Sequence, residues 1–134
     1  MSKSMRITRA CDYALRAMVF LAGSPGVSVE TAKVAAEINV PPVYLRKIFQ
    51  SLARSGLVRT APGSGGGVLL AAAPDSVTLK DVIEAVEGPI VLSDCIESED
   101  VCCRSGTCKV HACLGEIQTA LKKEFSGRTL ADLI

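Results

Sequence analysis

Residues 41–60 read PPVYLRKIFQSLARSGLVRT, and this stretch decides the fold. Leu45, Ile48, Phe49 and Leu52 recur at i, i+3, i+4 and i+7, the apolar stripe of an amphipathic helix over about residues 42–55. Arg46, Lys47, Gln50 and Arg54 fall on the opposite side. Pro42 suits the first turn of such a helix, and Gly56 supplies its stop. A helix patterned this way buries one face and offers cations and an amide on the other.

Working outward, residues 8–23 predict a preceding helix, with Thr8 as its cap and Ala14, Leu15, Met18, Val19, Leu21 and Ala22 at helical spacing. Ser24-Pro25-Gly26 is a turn, after which Ser28 is expected to cap a short helix over residues 30–38. Ala32, Val34, Ala35 and Ile38 would face inward there, and Asn39-Val40-Pro41-Pro42 breaks the chain sharply. Downstream, residues 57–60 and 68–70 read as two short strands around the tip Gly63-Ser64-Gly65-Gly66-Gly67. Helix, short helix, tight turn, basic helix and glycine-tipped hairpin is the order of a winged helix-turn-helix, mainly α with a two-stranded wing. In that fold the third helix enters the major groove, and the tip at Gly65 and Gly66 reaches phosphates or the minor groove. A generic three-helix bundle with a hairpin is the competing reading.

The balance of charge agrees with a polyanionic partner. Residues 1–60 carry nine Lys/Arg against three Asp/Glu, a balance of +6, and residues 61–134 carry six against eleven, a balance of −5. At 134 residues, 49% hydrophobic and 22% charged, the chain suits one small helical domain or a domain with an appendage. Its start does not read as a secretory leader, and the apolar run at residues 17–22 is too short to cross a bilayer, so a cytoplasmic protein is expected.

Five of the six cysteines crowd into one stretch: Cys95, Cys102, Cys103, Cys108 and Cys113, with His111 among them. In a reducing compartment such a cluster points to a metal centre or a thiol switch before structural disulfides. It follows a helix capped by Thr78, with Leu79, Val82, Ile83 and Val86 on one side and Gly88-Pro89 at its end. Residues 90–109 then lack periodicity over a length unusual for a loop, which a bound metal would order. A last helix over residues 110–125 repeats Val110, Leu114, Ile117 and Leu121, a stripe that suits packing between subunits or within one chain. Gly127 ends it, and Thr129 caps a final turn. No nucleophile–base pair or phosphate loop is visible, since the run Gly63 to Gly67 lacks a following Lys-Ser/Thr, so no enzyme is expected.

Met5-Arg6-Ile7-Thr8, Asp12-Tyr13-Ala14-Leu15-Arg16-Ala17-Met18, Pro42 to Phe49, Leu52 to Val58, Gly65-Gly66-Gly67 and Val82 to Glu87 are collinear with one family. The chain resembles bacterial regulators of the IscR/NsrR/CymR type, the Rrf family, from Met5 onward. The resemblance implies a homodimeric winged-helix transcriptional regulator, a repressor, that binds promoter DNA under control of an iron–sulfur cluster, 2Fe–2S or 4Fe–4S. It divides the chain into a DNA-binding domain, 1–74, and a segment 75–134 with the cluster loop and dimerisation helices.

The resemblance also implies the site residues. Cys95, Cys102 and Cys108 with His111 are similar to the three-cysteine, one-histidine pattern of the IscR branch, with Cys103 competing for the second position. The same cysteines match the nitric-oxide-sensing NsrR branch, where an acidic residue from the partner subunit completes the set and Asp12 is aligned. Cys113 stands where the family has an apolar helix residue and is expected to be packed and inert, as is Cys11. A zinc site using Cys103 and Cys108, and a disulfide switch using Cys103 and a neighbour, are the rival chemistries, as in clusterless members controlled by thiols or a partner. On the DNA side, Tyr44, Arg46 and Lys47 occupy groove-facing positions of the family. Pro62 replaces the wing arginine of the IscR branch, leaving Arg59 as a candidate phosphate contact.

Overall fold

A computed structural model describes residues 4–61, 67–93 and 107–134. Helix α1 spans Arg9–Ala22, and Thr8 Oγ1 accepts the Cys11 N–H at 3.1 Å, so the expected cap forms. Its buried row is Cys11, Ala14, Ala17, Met18, Leu21 and Ala22. The many alanines in that row let other helices approach closely.

Helix α2, Thr31–Ile38, starts later than its sequence suggests and has no side-chain cap. Ser28 does not cap it, because the backbone beside Ser28 is engaged elsewhere: Val29 and Val68 exchange both N–H···O bonds, at 2.9 and 2.8 Å. Ala32 is exposed, and the inward positions are Val34 and Ala35, with Ile38 half-buried. Asn39 ends α2 in the left-handed region at φ 59°, turning the chain into helix α3, Pro42–Arg54. The stripe Leu45, Ile48, Phe49 and Leu52 is buried as its spacing requires. Gly56, at φ +78°, then reverses the chain into the wing.

Strands β1, Val58–Thr60, and β2, Val68–Leu70, pair antiparallel in the register Val58↔Leu70, Arg59↔Leu69, Thr60↔Val68. Alternation puts Val58, Val68 and Leu70 inside and leaves Arg59 exposed. Val29 lies against the other edge of β2, so the wing root is closed on both sides. The close approach requires Gly67, where a Cβ would meet Ser28 Oγ at 2.6 Å and Val29 O at 2.7 Å.

After a 3₁₀ turn at Pro74–Ser76, helix α4, Leu79–Glu87, opens with a reciprocal cap. Asp81 N–H donates to Thr78 Oγ1 at 3.1 Å, and Thr78 N–H donates to Asp81 Oδ2 at 3.0 Å. Helix α4 packs on α1 and α3, burying Val82 and Ile83. Helix α5, Lys109–Ser126, rests on α4. The chain then returns to the body: Leu79 N–H donates to Arg128 O, Leu130 N–H donates to Val77 O, and Leu130 is fully buried. One continuous core runs from Met18, Leu21 and Phe49 to Val77, Val82 and Leu130.

Thus the described residues form five α-helices and one two-stranded antiparallel sheet, a mainly helical winged helix-turn-helix with an added C-terminal helix.

Candidate nucleic-acid interface and metal centre

Helix α3 presents Val43, Arg46, Lys47, Gln50 and Arg54 outward along one face, all exposed, while its opposite stripe is locked in the core. The ring of Tyr44 stands edge-on to Tyr13 of α1, centroids 5.6 Å apart at 90°, which fixes the start of α3 against α1. Arg54 Nη2 donates to Ser51 Oγ at 3.1 Å. Among the described residues no carboxylate pairs with Arg46, Lys47 or Arg59, so those cations face outward uncompensated. Gly65, Gly66 and Pro62 lie outside the described residues.

The metal ligands implied by the family resemblance divide between described and undescribed segments. Cys95, Cys102 and Cys103 lie outside the described residues. Cys108 is the N-cap of α5, and its Sγ accepts the His111 N–H at 3.4 Å. The sulfur therefore sits at the first turn of α5 with a backbone N–H turned toward it. His111 is half-buried, and its Nδ1 is buried without a hydrogen-bond partner. Such an orphaned ring nitrogen costs free energy unless something coordinates or bonds it.

Asp12 sits in the first turn of α1, where its Oδ2 accepts from Arg16 Nε at 3.0 Å. Within one chain it is not assembled with Cys108 and His111; among the described residues no group of three or more His, Cys, Asp or Glu side chains converges.

The two remaining thiols differ sharply. Cys11 is 1% exposed, and its thiol is pushed up to about 11, first by burial and then by the nearby charges of Glu87 and Asp12. It is packed as expected. Cys113, expected to be packed, is exposed. The reason is angular: α5 meets the body through His111, Leu114, Gln118, Leu121 and Phe125, and position 113 points away from that row.

Two features of this region are absent from the sequence reading. Gln118 is buried and its Oε1 accepts the Leu92 N–H at 2.9 Å. Its signal is a polar residue seven positions after His111 in an otherwise apolar row. The other is an open groove of about 610 Å³ between the start of α1, the end of α4 and α5, lined by Ile7, Cys11, Glu87, Leu121 and Phe125 among others. Across its rim the Thr8 hydroxyl donates to the Glu87 carboxylate.

Comparison with known proteins places this geometry. The family described as Rrf2, iron-dependent transcriptional regulator, matches residues 7–134. The chain is 31% identical over 132 residues to the HTH-type transcriptional regulator NsrR of Halalkalibacterium halodurans, covering 97% of this chain and 90% of that protein. Its fold is similar to that of CymR, the global cysteine regulator of B. subtilis, with a TM-score of 0.77 and 28% identity over 97% of this chain and 96% of that one. It is also similar to T. potens IscR, with a TM-score of 0.76 and 21% identity over 97% of this chain and 86% of the other, a likeness of fold. The chain belongs to the Rrf2 family of transcriptional regulators. It is a DNA-binding regulator and not an enzyme. Among the described residues no helix is long and apolar enough to cross a membrane.

Proposed function

We propose that this chain is a cytoplasmic, homodimeric repressor whose hold on promoter DNA is set by an iron–sulfur cluster. The observation that carries the reading is the start of α5, where the Cys108 sulfur caps the helix and the neighbouring His111 Nδ1 is buried and unpartnered. These donors fit such a cluster. Thiolate ligands with N–H donors to sulfur, and a histidine as the odd ligand, are an established iron–sulfur donor set. Cys95, Cys102 or Cys103, and Cys108 would supply the sulfurs, and His111 the fourth position in preference to Asp12, which already holds Arg16. When bound, the cluster supplies a closure of the cysteine segment that depends on iron, oxidants or nitric oxide.

The chain's own residues do the rest. Arg46, Lys47 and Gln50 enter the major groove, with Tyr44 and Arg54 flanking them and Arg59, Gly65 and Gly66 approaching the backbone from the wing. Two copies would pair through the outer face of α5, where Val110 is 64% and Ile117 50% exposed, and set two α3 helices about one DNA turn apart. Residues 1–74 would then be the reading unit and 75–134 the sensing and pairing unit.

Likeness to CymR and the exposed Cys113 favour a second reading, a clusterless regulator switched by thiol chemistry or a protein partner. One experiment separates the two. Anaerobically purified wild type should be brown, with iron and labile sulfide, and His111→Ala should lose the native spectrum while Asp12→Ala keeps it. Loss with Asp12→Ala and not His111→Ala would transfer the fourth position to Asp12. Iron-free protein in every sample would overturn the cluster reading and leave the thiol one.

A further inference from the structure

Of the large apolar side chains on helices α1 to α4, only Val43 and Tyr44 are exposed, Val43 at 64%. Tyr44 is accounted for by its edge contact with Tyr13. Val43 belongs neither to the core nor to the residues packed against it. Helix stability does not call for it either, because a β-branched side chain at an exposed helical position forfeits χ1 freedom that alanine never had to lose. It stands in the first turn of α3, directly after Pro42, and heads the exposed row Arg46, Lys47, Gln50 and Arg54 at i+3, i+4, i+7 and i+11. First-turn residues of a groove-bound helix are the ones that meet base edges. Valine has no hydrogen bond to offer there, and the apolar group on the base edges of the major groove is the 5-methyl of thymine. The cations that follow Val43 suit a polyanion and not an apolar protein surface.

We propose that Val43 is a specificity-determining residue of this regulator: its methyl groups meet the 5-methyl of a thymine in the DNA site, beside the bases that Arg46 reaches. This rests on α3 being the helix that enters the major groove, as above. Two features suit Val43 to the role. In a helix its branched side chain keeps close to one rotamer, so little freedom is lost on contact. The Tyr13–Tyr44 contact fixes the first turn of α3 against α1, so the methyl groups are presented from a rigid support. Closing the two apolar groups on each other removes both from water, which is worth about fourfold in affinity for each methyl group covered.

The test uses the full chain, purified anaerobically, and the duplex that wild type itself selects from a randomised pool. Each thymine of that duplex is exchanged singly for deoxyuracil, which keeps the pairing edge and removes the 5-methyl group alone. Binding is read for wild type, Val43→Ala and Arg46→Ala. Wild type is expected to lose about fourfold at one thymine in a half-site. Val43→Ala should bind the unmodified duplex about fourfold more weakly per half-site and lose nothing further at that thymine. It should also melt at or slightly above the wild-type temperature, since alanine is the better helix former. Equal deoxyuracil losses for wild type and Val43→Ala, or a wild type indifferent to every exchange, would overturn the role of Val43 alone. A pool that yields no preferred sequence, or Val43→Ala and Arg46→Ala both binding as wild type does, would overturn the reading of α3 and this inference with it.

Discussion

Arg46 and Lys47 are neighbours on one exposed face of α3, yet their chemistry differs. A guanidinium can hold a guanine edge through two parallel bonds, whereas an ammonium acts as a point charge on phosphate. Arg46→Ala should therefore weaken operator binding by about 1–3 kcal/mol and leave random DNA less affected. Lys47→Ala should weaken both alike and flatten the dependence on salt. Fluorescence anisotropy on operator and scrambled duplexes reads both, and equal losses for Arg46→Ala would refute base reading there. The cysteines carry a second prediction. With its thiol raised from 9.0 to about 11, Cys11 stays protonated at pH 8, so iodoacetamide should label Cys113 and spare Cys11 in the folded protein. The neutral thiol is favoured by the fold, so its contribution is complete below pH 9.0 and lost as pH climbs toward about 11. Urea melts of wild type against Cys11→Ala at pH 8 and pH 10.5 should show wild type losing its relative advantage at the higher pH.

At the level of elements, what could be read from the chain was what is written locally. The stripe of α3, the Thr8 and Thr78 caps and the positive-φ turn at Gly56 each lie within a few residues of their cause, and all formed. Ser28 was misread because its fate is set across the fold: residues 28–29 run as an edge against β2, a pairing with position 68 that no local pattern announces. The same contact makes Gly67 indispensable at the wing root. Gly67→Ala should destabilise the protein by on the order of 1–3 kcal/mol in a urea melt, because both Ser28 and the Val29 carbonyl must move. A variant as stable as wild type would show that the edge yields freely. The last helix shows the other limit. Its period was legible, but Leu114 and Leu121 belong equally to the row with Val110 and Ile117 and to the row with His111 and Gln118. Only the packing against α4 reveals that the second row is the inner one, which leaves Cys113 outside although the family resemblance led to a packed position there.

Across the whole molecule, charge and apolar surface are partitioned. The basic half carries helix α3 and the first strand of the wing, and the exposed valine and isoleucine of α5 lie in the acidic half. If pairing runs through that outer row, Ile117→Glu should keep the fold by circular dichroism, sediment as a monomer and bind a full palindrome far more weakly than wild type does. A dimer that survives the change would place the pairing surface elsewhere. One end of α5 is clamped: Leu130 is buried and Arg128 and Leu130 are bonded to the body, the open groove lies beside Leu121 and Phe125 at that same end, and Cys108 stands at the opposite one. In mechanical terms α5 is a beam about 27 Å long with its fulcrum at the C-terminal end. A pivot of about 10° there carries the thiol end through roughly 5 Å by simple geometry while Leu130 stays in place. Because His111, Leu114 and Gln118 also rest on the body, such a swing has to slide that inner row, so the beam moves at its tip only as far as this packing yields.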